Sequence, residues 1–325
     1  MTDPAELQLT EIEPKDATMA KEVLAGLRAS PKVLSPKYFY DERGSQLFDE
    51  ITALPEYYPT RTEIGIMEAN IDEIVALVGR QASLIEFGSG SSLKTRILLD
   101  NLNDLAAYVP VEISREYLLA IVEGLQADYP HIEMLPVFAD FTKPFELPAP
   151  RVAPVKNVVY FPGSTIGNFA PAKALDLLRV MASEAKQGGA LLIGVDLKKD
   201  TAILEAAYND SQGVTARFNL NMLRRLNNEL DADFVLDDFR HRAIYNEEEG
   251  RIEMHLISER DQSFVVAGEQ FSIKKGESIR TECSYKFTLE EFSALAAQAG
   301  FQQRQVWKDS NALFSVQFLE CVSNN

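Results

Sequence analysis

Five short apolar runs at regular intervals constrain the fold of this 325-residue chain more than any other feature. They occupy residues 84–87, 108–113, 134–138, 157–161 and 190–197, so their starts lie 23 to 33 residues apart. Each run ends in turn-forming or acidic residues, and a helical pattern separates it from the next. Because this is the repeat length of a strand plus a crossover helix, it predicts an α/β fold with an open, doubly wound, mainly parallel sheet.

The first apolar run leads directly into a Gly-Ser-Gly turn at residues 88–90, and a helical pattern follows from Lys94. Glycines let backbone N–H groups approach a ligand closely, and the start of a helix offers a partial positive charge. Leu93 stands where a dinucleotide-binding turn has its third glycine, and the chain has no P-loop motif. The turn therefore predicts a nucleotide-like ligand and counts against NAD or FAD.

Acidic or small residues follow the next three strands. Glu112 lies 22 residues after Gly90, where a carboxylate can accept both hydroxyls of a ribose. Asp140 and Phe141 suit an adenine amino group and ring face, and small residues fill positions 163–168. Either acid alone is equally well explained as the N-cap of the next helix. At successive strand ends, the residues together predict a nucleoside site without a pyrophosphate.

The sequence outside the βα pattern predicts a second lobe. A short amphipathic helix is predicted at residues 20–29, and the tyrosines and prolines of residues 36–61 indicate either a surface loop or a lid over a ligand site. After residue 200, two helical patterns precede a block of strands at residues 251–287, an α+β insertion. We expect a substrate-binding lobe formed by residues 1–60 and 198–287, and a cofactor-binding domain formed by residues 61–197 and 288–325.

Two capping-box patterns predict helix starts in the cofactor-binding domain. Thr-Arg-Thr-Glu at residues 60–63 precedes a helical pattern that ends at Gly79, and Thr-Leu-Glu-Glu at residues 288–291 precedes another. Two strand candidates, residues 303–307 and 313–319, then finish the chain. We expect this hairpin to complete the first sheet.

Residues 279–287 alternate in a way that predicts a strand with two different faces. Arg280, Glu282, Ser284 and Lys286 are predicted to share one face. Glu282 and Ser284 would then point the same way, as a carboxylate and a hydroxyl must if they bind one small ring. The alternative is a solvated strand face.

Charge and cysteine content limit the partners. The formal net charge of −17 repels phosphate backbones and anionic membranes. Cys283 and Cys321 lie far apart, and the three histidines are isolated, which favours neither a disulfide framework nor a metal site. The N-terminus has no signal-peptide pattern and no apolar run reaches membrane-spanning length. We expect a cytoplasmic monomer that acts on a small molecule, with no nucleic-acid or membrane partner.

The order of glycines and acids at residues 86–90, 112 and 140 resembles class I S-adenosylmethionine-dependent methyltransferases. Longer motifs resemble the L-histidine Nα-methyltransferase family of ergothioneine biosynthesis. They are Pro-Lys-Tyr-Phe-Tyr-Asp at 36–41, Leu-Pro-Glu-Tyr-Tyr-Pro-Thr-Arg at 54–61, Gly-Ser-Gly-Ser-Ser-Leu-Lys-Thr-Arg at 88–96, Gly-Ser-Thr-Ile-Gly-Asn at 163–168 and Thr-Glu-Cys-Ser at 281–284. The resemblance extends from about residue 20 to the C-terminus.

This resemblance implies a Rossmann-like fold that binds S-adenosyl-L-methionine and places three methyl groups on the α-amino nitrogen of histidine, giving hercynine. The cofactor contacts it implies are Tyr40, Gly88, Lys94, Glu112, Asp140, Phe141 and Ser164. The histidine pocket it implies is lined by Tyr57, Asn168, Tyr208, Met254, Glu282 and Ser284. In that pocket Asn168 and Tyr208 hold the carboxylate, while Glu282 and Ser284 face the imidazole. Glu112 departs mildly from the family, since a relative has aspartate there.

Methyl transfer from a sulfonium to an amine needs no metal and no covalent intermediate, so positioning supplies most of the rate. Tyr57 and Asn168 are the candidate catalytic residues, although the sequence identifies no general base. Two alternatives stay open on the sequence alone. One is a methyltransferase for another small amine or amino acid, and the other is a non-catalytic nucleoside-binding protein.

Overall fold

The computed structural model describes residues 9–11, 18–88, 90, 92–113 and 115–322. Ser89 of the predicted turn, its neighbour Ser91, Ser114 and the predicted domain parts at residues 1–8, 12–17 and 323–325 lie outside the described residues. The β-strands are β1 (Thr10–Glu11), β2 (Lys32–Val33), β3 (Ala82–Phe87), β4 (Ala107–Glu112), β5 (Val137–Phe138), β6 (Lys156–Phe161), β7 (Ala190–Asp196), β8 (Phe239–Asn246), β9 (Arg251–Ser258), β10 (Gln262–Val266), β11 (Glu269–Ile273), β12 (Ser278–Tyr285), β13 (Phe301–Lys308) and β14 (Phe314–Cys321). The α-helices are α1 (Thr18–Arg28), α2 (Glu42–Thr52), α3 (Tyr58–Ala69), α4 (Ile71–Val78), α5 (Leu93–Leu99), α6 (Arg115–Asp128), α7 (Pro171–Ala185), α8 (Thr201–Tyr208), α9 (Val214–Glu229) and α10 (Leu289–Ala297). Short 3₁₀ helices lie at Pro36–Phe39, Thr165–Asn168 and Leu236–Asp238. Among these helices, none is long and apolar enough to cross a membrane.

The larger sheet has the strand order β1-β5-β4-β3-β6-β7-β14-β13. Its strands are parallel from β1 across to β7, while β14 is antiparallel to β7 and to β13. This confirms the predicted doubly wound, mainly parallel sheet, including the C-terminal hairpin that completes it. The chain changes its direction of travel across the sheet between β3 and β6. In such sheets, ligands bind beyond the carboxyl ends of the strands at this point.

Helices cover both faces of the larger sheet. Ile85 and Phe87 of β3 face a buried layer that includes residues of α7 and α10, whereas Leu84 faces a layer that includes residues of α3, α4, α5 and α6. Every residue of β3 is buried. Burial on both faces explains why these strands read as continuous apolar runs in the sequence.

The two predicted capping boxes have different outcomes. Thr288 accepts the backbone N–H of Glu291, and the Glu291 carboxylate accepts the N–H of Thr288, so this capping box is confirmed at the start of α10. The box at residues 60–63 is wrong, because α3 begins at Tyr58 with Pro59 in its first turn. Proline needs no N–H partner in the first turn, which lets the helix start without a threonine cap.

The smaller sheet has the order β2-β12-β9-β8 and carries the separate hairpin β10-β11. Its strands pack with α1, α2, α8 and α9 around a cluster of buried side chains that includes Val23, Phe218 and Met254. The chain leaves the larger sheet after β7 and returns beside it, since Leu197 and Phe287 form a parallel bridge. Three strands of the smaller sheet therefore come from an insertion whose two ends meet, and β2 is added from the N-terminal segment.

Candidate active site

A cavity of about 1420 Å³ lies at the carboxyl ends of the central strands, between the larger sheet and the insertion. All of the residues predicted for the site line this cavity: Tyr40, Tyr57, Gly88, Lys94, Glu112, Asp140, Phe141, Ser164, Asn168, Tyr208, Met254, Glu282 and Ser284. They come from positions as far apart as 40 and 284 in the sequence. The fold thus brings the predicted set together, and their individual roles stay predictions.

The turn after β3 leaves room for a ligand beside an aromatic ring. Gly88 has φ of +72°, a conformation that favours glycine, and its N–H donates to the carbonyl of Val111 at 2.9 Å. A Cβ at this position would lie 3.7 Å from the ring of Phe141. The Phe141 ring in turn packs 5.5 Å from that of Phe87, measured between centroids. The strand end therefore presents bare backbone next to a fixed ring.

The two acids predicted to bind a nucleoside sit at adjacent strand ends. Glu112 closes β4, and one of its carboxylate oxygens accepts the N–H of Ile113 at 2.8 Å. Asp140 accepts the N–H of Thr142 at 3.1 Å and forms an ion pair with Lys143 at 3.0 Å. Burial works against ionisation of Asp140, but these hydrogen bonds outweigh it and lower its pKa. Asp140 is therefore an ionised hydrogen-bond acceptor at neutral pH.

Glu86, the acid just before the Gly-Ser-Gly turn, contacts the two elements that flank the end of β3. Its carboxylate is buried and accepts the hydroxyl of Thr95, at 2.8 and 2.7 Å for its two oxygens, as well as the hydroxyl of Tyr108. Burial raises its pKa to about 8. The hydrogen bonds tie the end of β3 to α5 and β4, which holds the turn in place.

Lys94 has a buried partner that the sequence did not reveal. Its ammonium pairs with Glu63, a residue of α3 with no exposed surface. The other contact of that carboxylate is the N–H of Gly163, at 3.1 and 2.9 Å for the two oxygens. Glu63 thereby links α3 to α5 and to the turn that follows β6. Its place in a capping-box pattern pointed to a different role.

The residues after β6 form a tight turn against the insertion. Ser164 has φ of +56°, and its hydroxyl accepts the backbone N–H of Asp196 at 2.9 Å. Asn168 ends the 3₁₀ helix of this turn and lines the cavity. A Cβ at Gly167 would lie 2.7 Å from the carbonyl oxygen of Tyr285, so this glycine is needed for close approach to β12.

Aromatic side chains from residues 36–61 form one wall of the cavity. The segment is mostly helical, and Tyr40, Phe48 and Tyr57 line the cavity, as the lid interpretation requires. The ring of Tyr57 packs against those of Phe48 and Tyr208, with centroids 6.3 Å apart in each case. Burial raises the pKa of both the Tyr57 and the Tyr208 hydroxyl well above the usual value, so both stay protonated.

A β-bulge in β12 corrects the predicted strand faces. The register against β9 shifts between Arg280 and Glu282, so the simple alternation fails at Thr281. Arg280 consequently faces the opposite side, where its guanidinium lies 3.8 Å from Glu253. Glu282 and Ser284 do point the same way, into the cavity. The solvated-face alternative is wrong, because both side chains are buried.

Glu282 is a buried carboxyl on the insertion side of the cavity, and its pKa is raised. It pairs in register with Met254 of β9, and both residues line the cavity. Burial raises the pKa of its carboxyl to about 7, against an opposing effect of the Lys286 ammonium. The carboxyl therefore titrates near neutral pH, where a ligand that donates a hydrogen bond would favour the ionised form.

Behind Ser284 and Tyr208 lies a buried ionic cluster, which we define as Asp196, Lys199, Lys286 and Tyr58. Asp196 pairs with Lys286 at 2.7 Å and accepts the Tyr58 hydroxyl at 2.7 and 2.8 Å. Lys199 also pairs with Asp196, and burial lowers the Lys199 pKa to about 8. Asp196 and Lys286 line the cavity too. Sequence reasoning missed the cluster, although the position of Asp196 at the end of the fifth apolar run was a usable signal.

The cavity therefore has two chemically different ends. Glycine, a phenyl ring and two carboxylates at the strand ends suit a nucleoside. Buried tyrosine hydroxyls, Ser284 and Glu282 suit a small, polar molecule that both donates and accepts hydrogen bonds. A protein with this arrangement can hold two ligands end to end.

Comparison with known proteins agrees with this arrangement. The histidine N-alpha-methyltransferase of Mycolicibacterium smegmatis is 44% identical over 296 residues, which cover 90% of this chain and 91% of that protein. Ergothioneine biosynthesis protein 1 of Neurospora crassa is 33% identical over 288 residues, covering 86% of this chain and 32% of that protein. The CcbJ methyltransferase structure from Streptomyces caelestis superposes with a TM-score of 0.51 at 14% identity, covering 89% of this chain and 100% of that one.

The structural likeness concerns the fold alone, since the identity is low. The sequence relatives are more informative, because their matches extend through both the larger sheet and the insertion. The sequence profile of the family described as SAM-dependent, histidine-specific methyltransferases matches residues 19–321, which include every residue predicted for the site. The chain belongs to the family of S-adenosylmethionine-dependent, histidine-specific methyltransferases.

Proposed function

We propose that this protein transfers methyl groups from S-adenosyl-L-methionine to the α-amino nitrogen of L-histidine, three times in succession, to give hercynine in ergothioneine biosynthesis. The observation that carries the proposal is that one cavity contains both the strand ends predicted to bind a nucleoside and a buried pocket with Glu282 and Ser284. Family membership supports both the cofactor and the substrate.

The residues at the strand ends fit S-adenosyl-L-methionine. Gly88 leaves backbone open where a side chain would meet the Phe141 ring. Glu112 would accept the ribose hydroxyls, and Asp140 with Phe141 would contact the adenine. We assign the remaining cofactor contacts to Tyr40, Lys94 and Ser164. When bound, the cofactor supplies a methyl group on a positively charged sulfur.

The insertion and the turn after β6 would hold the amino acid. Asn168 would bind its carboxylate, while Glu282 and Ser284 would bind its imidazole, and Tyr57, Tyr208 and Met254 would complete the walls. The Tyr208 hydroxyl, also predicted to hold the carboxylate, donates its one proton to Ser284 at 3.0 Å, so Asn168 is the donor of that pair left for the carboxylate. Gripping the substrate at both ends fixes its α-nitrogen, and such alignment supplies most of the rate in a displacement.

The proton balance assigns a positioning role to Tyr57. Each of the first two products must lose a proton before its nitrogen can accept another methyl group. Because burial keeps the Tyr57 hydroxyl protonated, it would not act as a phenolate base, and its oxygen would accept an N–H of the amine so that the nitrogen lone pair stays free for the methyl group. The departing proton is then released to water through the open cavity. Asn168, also named as catalytic, contributes by orienting the substrate.

The organisation of the chain follows the two ends of the cavity. We propose that residues 1–60 and 198–287 form the substrate-binding lobe and that residues 61–197 and 288–325 form the cofactor-binding domain. Largely separate clusters of buried side chains in the two parts support this division. Two short segments depart from it, because β1 pairs with β5 of the larger sheet and the side chains of Tyr285 and Phe287 pack into the cluster beneath that sheet. We further propose a cytoplasmic monomer without nucleic-acid partners, in keeping with the net charge of −17 and a content of only two cysteines.

A substrate panel tests the proposed activity directly. The protein is incubated with S-adenosyl-L-methionine and, separately, with each of the twenty amino acids, and products are followed by mass. Histidine should gain up to three methyl groups, and the other amino acids should react far more slowly. Failure of histidine to react would sink the proposal, and reaction of another amino acid instead would reassign the pocket. Cofactor binding without any turnover would indicate a non-catalytic protein.

A further inference from the structure

We propose that Lys286 is a positioning residue that makes Ser284 a hydrogen-bond donor toward the substrate, so that the pocket selects a ring with an unprotonated nitrogen. The inference rests on the proposed function, because it takes the ring bound by Ser284 to be the imidazole of histidine. Lys286 would act through Ser284 and Tyr208, and it need not touch the substrate itself.

The hydrogen bonds around Ser284 define which way its proton points. The Lys286 ammonium donates to the Ser284 hydroxyl at 2.8 Å and to the Tyr208 hydroxyl at 3.2 Å. The Tyr208 hydroxyl donates to that of Ser284 at 3.0 Å. A serine hydroxyl has two lone pairs and one proton. Both lone pairs are therefore occupied, and the proton is left for a ligand in the cavity.

The two hydroxyls together keep one proton for a ligand whichever way the bond between them runs, and the direction from Tyr208 to Ser284 leaves that proton on Ser284. An ammonium can only donate, so Lys286 never accepts a proton from either hydroxyl. The bond between Tyr208 and Ser284 uses one of their two protons. The other proton must point elsewhere, and among the described residues no side chain accepts it. The pair thus always presents one donor.

The ammonium is held in place from the opposite side. Lys286 and Asp196 are ion-paired at 2.7 Å, and each side chain is only 1% exposed. Asp196 also binds Lys199 and the Tyr58 hydroxyl, and its backbone N–H donates to Ser164. Because these contacts come from different elements, Lys286 has little freedom to turn away from Ser284. The position of the Lys286 ammonium is therefore fixed by the fold.

Charge balance matches the same picture. The ionic cluster contains two lysines and one aspartate, so it has one positive charge in excess when all three are ionised. Glu282 lines the same cavity, and its ionised form is favoured by the Lys286 ammonium. Ionised Glu282 then accepts a ring N–H, while Ser284 donates to the other ring nitrogen. A neutral imidazole offers one N–H and one lone pair, and it satisfies both groups.

A ring with an N–H but no second nitrogen would leave the Ser284 proton unpaired in a buried site. Buried polar groups without partners are costly, and sites built to hydrogen-bond a substrate discriminate strongly against analogues that lack the bond. The 2- and 3-pyrrolyl analogues of histidine have such rings, with the N–H at either ring position. Together they cover both orientations of the imidazole.

The test compares kcat/KM for L-histidine with that for each pyrrolylalanine in four proteins: wild type, Ser284→Ala, Lys286→Met and Tyr208→Phe. If an analogue is not methylated, its inhibition constant against histidine replaces kcat/KM. The preference for histidine should fall about tenfold in Ser284→Ala, which has no proton to place. It should fall about threefold or more in Lys286→Met and Tyr208→Phe, since each frees one lone pair of Ser284 to accept an N–H.

The preference is a ratio, so a general loss of activity cancels from it. An unchanged preference in Ser284→Ala overturns the donor role of Ser284. An unchanged preference in folded Lys286→Met overturns the assignment to Lys286, which would then be only structural. Should Lys286→Met fail to fold, an unchanged preference in Tyr208→Phe overturns the hydrogen-bond scheme. If wild-type protein does not methylate histidine at all, the proposed function fails first, which is a separate outcome.

Discussion

The two ends of the cavity use carboxylates in opposite ways. At the strand ends, Asp140 is partly open to solvent and hydrogen-bonded, and its pKa is lowered. In the insertion, Glu282 is buried and the pKa of its carboxyl is raised to about 7. A strand-end carboxylate is ready to accept hydrogen bonds from a polar nucleoside at any neutral pH. A desolvated carboxylate binds more selectively, because only a ligand with a matching hydrogen-bond donor offsets the free-energy cost of removing the carboxylate from water.

The difference also concerns what supports each carboxylate. Neighbours within three residues in sequence hold Asp140, namely Thr142 and Lys143. By contrast, Glu282 and Ser284 lie beside an ionic cluster assembled from α3, β7 and the residues that follow β12. The partners of Asp140 are thus close to it in sequence, whereas the groups beside Glu282 and Ser284 come from distant parts of the chain.

The largest expected effect breaks the ionic cluster. Asp196→Ala would leave Lys199 and Lys286 buried without a carboxylate, which should lower the free energy of unfolding by about 3–5 kcal/mol. Asp140→Ala is the matched control at the other end, where loss of a partly exposed pair should cost less than about 1 kcal/mol. Urea denaturation followed by circular dichroism measures both. Equal losses would contradict the contrast between a buried and a local carboxylate.

Binding separates the two ends next. Glu282→Ala should raise KM for histidine about 10- to 100-fold, as expected for removal of a charged hydrogen-bond partner, and leave the affinity for S-adenosylhomocysteine nearly intact. Asp140→Ala should do the reverse. Initial rates give the first quantity and titration calorimetry the second. Parallel losses of both bindings in Glu282→Ala would show that this residue has been assigned wrongly.

The pH dependence of stability has opposite signs at the two carboxylates. The folded-state pKa of Glu282 is raised from 4.5 to about 7, so between these values the folded protein retains a proton that the unfolded chain has lost. The stability of wild type relative to Glu282→Gln should therefore fall as pH rises from 5 to 7.5, by on the order of 2 kcal/mol.

For Asp140 the pKa is lowered, so its contribution is present at neutral pH and is lost only as pH falls through the lowered value. Wild type and Asp140→Asn should consequently differ by a constant amount between pH 5 and 7.5. Urea denaturation of the three proteins at several pH values provides the measurement. If the difference in free energy of unfolding between wild type and Glu282→Gln did not change with pH, the pKa of the Glu282 carboxyl would not be raised.

The smallest expected effect concerns Glu63, a buried carboxylate that lies beside the cofactor end of the cavity. Glu63 is fully buried, yet it supports the cofactor end through Lys94 and the N–H of Gly163. Glu63→Gln keeps an oxygen for Gly163 but removes the charge that pairs with Lys94. Cofactor affinity should fall about threefold to tenfold, with KM for histidine unchanged. A larger change in KM for histidine than in cofactor affinity would place Glu63 with the substrate end instead.

The sequence predicted some of these features well because their signals are local. The spacing of apolar runs set the sheet, and the capping box at Thr288 lies within four residues. Two local interpretations were wrong for related reasons. Helix α3 begins at Tyr58, with Pro59 in its first turn, before the capping-box pattern at residues 60–63. The bulge near Thr281 places Arg280 on the opposite face of β12 from the one predicted. Neither a helix start nor a bulge is specified by alternation or spacing alone.

By itself, the sequence determined the fold class, the positions of the strand ends and the family, since each depends on residues close together in the chain or on whole motifs. Only the tertiary structure decided which charges are buried together. Tyr58, Asp196, Lys199 and Lys286 meet because α3, β7 and the end of the insertion converge. Desolvation and pairing depend on that convergence, so the raised pKa of Glu282 and the donor role proposed for Ser284 could not be inferred before the fold was known.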